Sequence, residues 1–578
     1  MPESTPSALL RPVVLVRGVP NHATQVDVPW RLLFNLATAV LVTWRNLLRA
    51  VLRPRLAEWL VVDLDGPLPA RVGGRRSPWA WPRGAPRSLS DLAELCRRAA
   101  AHAGVKGVVF RLRGGGLGGA RVDELRAAFA ALRAAGKEVV VHAEALGNGD
   151  YRLAAAASRV LLVPGGRLGL TGVAARSTTV GRGLRQLGIQ PEVVRAGSYK
   201  SAGELFANDA PSPEARQVTG ELADGFYALL EQAVAEGRNL SREAVAAAID
   251  EGPYTARGAV AAKLADGVAY WDEIPALLGG RLAPLGALAF ADREAFRPRR
   301  SRRRGPPRIA VVSLDGTIVS GRSRRAPFVG GTCGDRTLGE ALAHARRDES
   351  ISAVVLHVRS RGGSALASDQ MWREVQRCAA KKPVVAFLEE VAASGGYYAA
   401  CAAHEIVAEP TCLTGSIGVI TAHFDASGLF ARLGVRRELT VRGKNAALGD
   451  PAGPLPEHAR AALVREISET YEAFLARVAE GRKLPLEEVR SVAEGRVYLA
   501  PRALQLRLVD SLGLFDAAVA RARALAKLGD GEVELVAIEG RRVGVLAQLR
   551  RLRAFTAGEV AAPALGGPLA YCDAELPW

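Results

Sequence analysis

A serine among small residues can act as a nucleophile if a substrate backbone can reach it and a base can take its proton. Ser394 has that setting, in Ala392-Ala393-Ser394-Gly395-Gly396-Tyr397-Tyr398. An apolar strand pattern precedes it and an Ala-rich helix pattern follows. The N–H groups at the helix start would then lie where negative charge develops. The same pattern also suits a plain helix cap, because Ser is favoured at N-caps and Gly in turns.

A serine nucleophile needs a base. Of the eight His, His404 lies ten residues on and His357 on the preceding strand. Neither stands in a recognisable nucleophile–base–orienter arrangement. Arg cannot serve, because its guanidinium does not lose a proton in proteins. Lys can, once burial disfavours its charged form. The chain has only nine Lys against 68 Arg. One of the nine, Lys200, sits between small and aromatic residues in Arg195-Ala196-Gly197-Ser198-Tyr199-Lys200-Ser201. A solvated surface lysine is the ordinary alternative.

The elements that must position these residues occur twice. Leu64-Asp65-Gly66 returns as Leu314-Asp315-Gly316, and Val139-Val140 as Val384-Val385. Pro164, Gly169 and Val173 match Pro410, Gly415 and Val419. Val234-Ala235-Glu236-Gly237-Arg238 returns as Val478-Ala479-Glu480-Gly481-Arg482, and Glu251-Gly252 with Tyr254 as Glu494-Gly495 with Tyr498. The spacing drifts by a few residues, as loop insertions would make it. A duplicated domain follows.

Each copy has the same order. Val-rich strands are expected at 59–64 and 108–112, and again at 309–314 and 353–358. Gly-rich turns follow at 113–116 and 360–363, then helices near 120–135 and 365–380, then strands at 138–143 and 383–388. Strands alternating with helices of this length give βαβ units and a mostly parallel sheet buried on both faces. Long helices are expected at 213–237 and 457–481. With the copies overlaid, Gly197 falls on Gly443 and Lys200 on Ala446, while Ser394 falls on Asn148. The first copy holds the lysine without the serine and the second the serine without the lysine. A dyad could survive only by joining across the halves, with Lys444 as the local rival base.

With these residues the chain resembles the protease IV, or SppA, family of signal peptide peptidases, over about residues 58–525. The carriers are Ser394-Gly395-Gly396-Tyr397-Tyr398, Ser360-Arg361-Gly362-Gly363-Ser364, Leu413-Thr414-Gly415-Ser416-Ile417-Gly418-Val419, and Gly197-Ser198-Tyr199-Lys200-Ser201-Ala202-Gly203-Glu204-Leu205-Phe206. The resemblance implies an α/β architecture of two tandem Clp/crotonase-like domains, each a mostly parallel sheet flanked by helices. It implies Ser394 as nucleophile and Lys200 as general base and acid. It also implies an oxyanion hole of backbone N–H groups near Gly363 and Gly395, supported by Gly362 and Gly396, and no metal or cofactor. It further implies membrane-associated homo-oligomers acting on signal-peptide remnants and other hydrophobic peptides. The chain departs from the family pattern at Arg361, where members usually carry Pro, and in lacking a clear membrane anchor. Two other readings stay open. One is a degenerate scaffold for membrane partners, to which Arg361 points. The other is an acyl-CoA enzyme on the same fold, using Asp150 or Glu389.

Composition bounds the rest. The 578 residues exceed one domain, and 49% hydrophobic with 24% charged residues excludes a disordered or collagen-like chain. Six scattered Cys form no CxxC pair, which argues against a zinc ribbon or a disulfide scaffold. The net charge of +18 is spread along the chain as Arg. It favours acidic surfaces, including anionic lipid, and nucleic acid is not expected as a partner. Residues 1–29 do not read as a signal peptide. The apolar run at 32–44 is shorter than the roughly 20 residues that span a bilayer. Trp30, Phe34, Ala37, Leu41, Trp44, Leu48 and Val51 share one helical face, with Arg31, Arg45, Arg49, Arg53 and Arg55 around it. That suits either a helix in a membrane interface, through residues 30–53, or one packed on protein. Peripheral membrane association is expected rather than a span, with a cytoplasmic protein as the alternative. The organisation read from sequence is an N-terminal extension (1–57), a lysine-bearing domain (58–295), an Arg/Pro-rich linker (296–308), a serine-bearing domain (309–528) and a tail (529–578).

Overall fold

Val108, Val109 and Phe110 are all buried, as are Val354, Val355 and Leu356 in the second copy. Strands apolar on both faces must be covered on both faces, and parallel sheets with crossover helices do this. A computed structural model of the chain describes residues 14–17, 27–52, 57–65, 88–113, 119–291, 306–326, 330–540 and 569–571. Its first half builds a sheet on the strands Trp59–Leu64, Gly107–Leu112, Glu138–Gly147 and Arg159–Gly169, paired parallel in that order. The second half repeats the order with Arg308–Asp315, Ile351–Ser360, Val384–Ala393 and Glu405–Ala408.

The repeated motifs repeat their contacts. Gly237 lies in the long helix Pro213–Arg238, and Gly481 in Glu457–Arg482. A Cβ on Gly237 would stand 2.2 Å from Ala155 O, and one on Gly481 would stand 1.9 Å from Cys401 O. Only glycine lets each long helix approach the short helix beneath it. The next residue of each motif pairs alike: Arg238 binds Asp266 at 2.8 Å and Arg482 binds Asp510 at 2.6 Å. Tyr151 donates to Leu264 O and Tyr397 to Leu508 O, each at 2.7 Å. The helix Pro213–Arg238 starts at Ser212, whose Oγ accepts the Ala215 N–H, with Pro at its first position, and it ends on Asn239 in left-handed backbone.

A third sheet joins the halves. Gln190–Ala196 pairs antiparallel with Val419–Asp425, from Ala196 against Val419 to Gln190 against Asp425. This pairing carries the stretch after Ala196 into the second copy. The sheet continues through Leu569–Tyr571, Gly362–Ser364 and Thr317–Val319.

Three sequence readings change. The segment after Asp530, irregular by sequence, supplies the strand Glu534–Glu539, which pairs with Arg308–Asp315 on one side and Val14–Arg17 on the other. Short apolar strands without helical or alternating period are easily missed. The first helix runs Asp27–Leu52. Of the expected face Phe34, Ala37, Trp44 and Val51 are exposed while Leu41 and Leu48 are half-buried, and Leu32, Leu33, Leu36, Val40 and Leu47 outside that face are each more than half exposed. Much of the Arg/Pro-rich linker, through residue 305, lies outside the described residues, and Arg308 already opens a strand.

Candidate active site

Ser394 stands where the strand Val384–Ala393 ends and the helix Gly395–Ala400 begins. Its backbone has φ 53° and ψ −118°, a conformation that costs an L-residue on the order of 1–3 kcal/mol. Two hydrogen bonds hold it there. The Ser394 N–H donates to Gly415 O at 2.8 Å, and Ser394 O accepts the Tyr398 N–H at 2.8 Å. The two following glycines are sterically required. A Cβ on Gly395 would lie 2.3 Å from Ser368 Oγ, and one on Gly396 would lie 2.7 Å from Ser360 O.

Lys200 comes to this serine from the other half. After the strand Gln190–Ala196 the chain turns at Gly197 (φ 103°), and the turn leans on Glu494 and Gly495 of the second copy. The Ser198 N–H donates to Glu494 Oε2 at 2.9 Å, and the Tyr199 N–H donates to Glu494 O at 2.8 Å. A Cβ on Gly495 would stand 2.6 Å from the Lys200 backbone nitrogen. Lys200 itself is buried. Its Nζ lies 2.8 Å from Ser394 Oγ, 2.9 Å from Ser416 Oγ and 2.9 Å from Ser416 O. An ammonium could donate to all three oxygens. A neutral amine could donate two hydrogens and turn its lone pair to the Ser394 hydroxyl.

With that geometry in place, comparison with known proteins is informative. The model of peptidase family S49 matches residues 131–279 and 376–529, one match in each half. The chain is 31% identical over 453 residues to a chloroplastic serine protease SPPA of Arabidopsis thaliana. It is 30% identical over 423 residues to Protease 4 of Haemophilus influenzae and 31% identical over 459 residues to Protease 4 of Salmonella typhi. These alignments cover 76%, 70% and 76% of this chain and 66%, 67% and 72% of the relatives. The chain thus spans about two thirds of their length. The chain belongs to peptidase family S49. By family it is a serine-type peptidase, and its parallel-dominant sheets are the two copies of a Clp/crotonase-like fold.

The four glycines expected from sequence around the oxyanion stand in different surroundings. Gly363 (φ 151°) abuts Ile318, where an added Cβ would stand 2.2 Å from the carbonyl oxygen. Gly395 opens the serine helix, and the first N–H groups of a helix have no partner within it. Gly362, expected only in support, has its N–H bonded to Ser360 Oγ at 3.1 Å. Its Cα would lie 3.3 Å from a Cβ on Gly395, so it packs beside the serine turn. Gly396 fits closely over Ser360.

Other residues weighed from sequence are engaged elsewhere. His357 Nε2 hydrogen-bonds Glu389, and His404 Nδ1 accepts the Val384 N–H at 3.1 Å. Asp150 is buried in the first copy's helix Asn148–Ala154. Lys444 is exposed. In the first copy Asn148, at the serine's place, donates to Gly172 O at 2.7 Å and accepts the Thr171 N–H at 3.0 Å, which ties off that position. The residue that sequence reasoning passed over is Ser416. It stood inside the quoted motif Leu413–Val419, yet nothing in its spacing marked it as a partner of Lys200. Its left-handed backbone (φ 52°) and the Ser416 N–H bond to Arg496 O at 2.7 Å aim both of its oxygens at the amine.

Proposed function

We propose that this chain is an endopeptidase in which Ser394 is the nucleophile and Lys200 the general base and acid, acting on hydrophobic peptides such as signal-peptide remnants. The observation that carries the reading is the 2.8 Å approach of the Lys200 amine to the Ser394 hydroxyl within the protein interior. Burial disfavours the ammonium, and only a neutral amine can accept a proton. Lys200 takes the hydroxyl proton, and Ser394 Oγ bonds to the peptide carbonyl carbon. The carbonyl oxygen becomes an oxyanion, held by backbone N–H groups at Gly363 and Gly395; one such donor is worth about 3–4 kcal/mol in the transition state. The Lys200 ammonium gives its proton to the leaving nitrogen. A water molecule, deprotonated by the same amine, then releases the acyl group.

Association with a membrane surface belongs to the same reading. Among the described residues no helix is long and apolar enough to cross a membrane. The helix Asp27–Leu52 nevertheless turns an apolar face to solvent, in a chain of net charge +18. Such a helix lies in the interface of an anionic bilayer with its apolar face in the acyl boundary. Assembly into homo-oligomers is part of the proposal.

The test is hydrolysis of a fluorogenic hydrophobic peptide, together with labelling by a serine-directed fluorophosphonate. Ser394→Ala and Lys200→Ala, each folded by circular dichroism, should both lose turnover, and Ser394→Ala should lose labelling. An active Lys200→Ala protein would refute the dyad.

A further inference from the structure

A lysine carries its amine on a flexible four-carbon stem, so an amine held within hydrogen-bond reach of a serine needs a fixed backbone beneath it. Inside the turn that carries Lys200, the Lys200 N–H donates to Gly197 O at 3.2 Å. Three further bonds from this turn converge on one residue of the other half. Glu494 Oε2 accepts the Ser198 N–H at 2.9 Å and the Ser198 hydroxyl at 3.3 Å. Glu494 O accepts the Tyr199 N–H at 2.8 Å.

Glu494 is itself held. Tyr471, on the long helix Glu457–Arg482, donates its hydroxyl to Glu494 Oε1 at 3.3 Å and accepts the Glu494 N–H at 3.2 Å. One carboxylate oxygen thus faces the helix and the other the turn. Burial pushes the Tyr471 phenol up to about 12, so it remains a donor at neutral pH. The two residues after Glu494 reach the same amine from its other side. The Gly495 N–H donates to Ile417 O at 2.8 Å, and Arg496 O accepts the Ser416 N–H at 2.7 Å. Ser416 in turn presents both of its oxygens to Lys200 Nζ. A single three-residue segment therefore fixes the base of the stem and the oxygens to which the amine points.

The first copy supplies a comparison within the same chain. Its Glu251-Gly252 is the counterpart of Glu494-Gly495. Glu251 is exposed, whereas Glu494 is half-buried against the lysine turn. The motif is common to both copies; the turn that loads its carboxylate belongs to the second site alone.

We infer that Glu494, oriented by Tyr471, is the positioning residue for the Lys200 amine, acting through the Ser198–Lys200 turn rather than on substrate. The inference rests on the Ser394–Lys200 reading and adds the group that sets its geometry.

The experiment follows the rate at which a serine-directed fluorophosphonate labels Ser394, together with kcat and KM for a fluorogenic hydrophobic peptide. Labelling reports attack by Ser394 Oγ without peptide binding. Glu494→Ala should slow labelling and kcat about 10²-fold at unchanged KM, the cost of a misplaced catalytic group. Glu494→Gln, whose amide oxygen still accepts the Ser198 N–H, should react about tenfold faster than Glu494→Ala. Tyr471→Phe keeps the buried ring, removes only the hydroxyl and should slow labelling about tenfold; it carries the test if Glu494→Ala does not fold. In a Lys200→Ala protein neither Glu494→Ala nor Tyr471→Phe should slow labelling further, because a residue that acts through Lys200 then has nothing to act on. A general packing role would cost the same factor in both backgrounds. Parent-like labelling in Glu494→Ala, an equal further loss in the Lys200→Ala protein, or a Glu494→Gln no faster than Glu494→Ala overturns the inference. A Lys200→Ala protein that labels as fast as the parent overturns the dyad reading itself, whatever Glu494→Ala does.

Discussion

Lys200 Nζ stands 2.8 Å from Ser394 Oγ although the two lie 194 positions apart in the chain. The approach is built by the antiparallel pairing of Gln190–Ala196 with Val419–Asp425, which delivers the Gly197 turn to the second half. Neither copy alone contains both groups, since Asn148 occupies the serine's place in the first and Ala446 the lysine's in the second.

The first prediction concerns the kind of cation at 200. Lys200→Arg keeps a positive charge and a long stem, but a guanidinium cannot become neutral in a protein. It should lose roughly 10²–10⁴-fold in kcat, the usual contribution of a general base. Peptide hydrolysis between pH 6 and 10 checks this. Arginine activity near that of the parent would show that the proton goes to another group.

Ser416 carries the second prediction. Its Oγ and O each lie 2.9 Å from Lys200 Nζ, so it orients the amine toward Ser394. Ser416→Ala removes one of these two oxygens and leaves the backbone carbonyl. Misorientation of a catalytic group can cost about 10²-fold, so kcat should fall by about one to two orders of magnitude with little change in KM. A packing defect alone would lower the urea midpoint, whereas misorientation of the amine lowers kcat with the midpoint unchanged, which separates the two causes.

Much of this was legible in the residues. The strand Trp59–Leu64 follows from a continuous apolar run, and the duplication shows in motifs whose glycines and arginines repeat one close contact and one ion pair. Lys200 could be singled out because Arg fills nearly every other cationic position. What could not be read are relations made by backbone at long range. The pairing that joins the halves uses peptide groups, which every residue has, and so leaves no side-chain signature. The same holds for Glu494, whose carboxylate and carbonyl clamp the lysine turn from the other copy, and for the Gly362 N–H, which Ser360 Oγ captures two residues away. The exposed apolar surface of the helix Asp27–Leu52 includes Phe34, Trp44 and Val51 of the face read from sequence but extends to Leu32, Leu36, Val40 and Leu47, because apolar residues occur nearly all round the helix.

A third prediction follows from a buried acid outside the dyad. Glu409 is fully buried, and one of its carboxylate oxygens, Oε1, has no hydrogen-bond partner. Burial, then the neighbouring charges of Glu389, Glu124 and Asp123, push its carboxyl well above the ordinary 4.5. The folded state thus holds this proton more tightly than the unfolded chain. Its stabilising effect is full below about pH 4.5 and is lost as pH rises toward the folded value. Glu409→Gln stays neutral throughout, so relative to the parent it should gain stability between pH 5 and pH 8, by about 1–3 kcal/mol. Urea midpoints at the two pH values check this. A gain that shrank with rising pH would mean that the carboxylate is paired in the folded protein.

The last prediction concerns the outward face of the helix Asp27–Leu52. Leu36 and Leu47 are 64% and 62% exposed, far more than side chains packed on their own protein. If the face lies in a bilayer, each leucine buries apolar surface worth roughly 1.5–3 kcal/mol. Leu36→Ala with Leu47→Ala should then weaken sedimentation with phosphatidylserine-containing vesicles by at least about tenfold, because alanine keeps only part of that surface. Binding of the parent should also weaken as salt screens its basic residues. Hydrolysis of a short soluble peptide should be unchanged, because neither leucine belongs to the catalytic site. Unchanged vesicle binding in the variant would assign the exposed face to another protein surface, such as a second copy of the chain, and sedimentation equilibrium without lipid would then show the parent self-associating and the variant not.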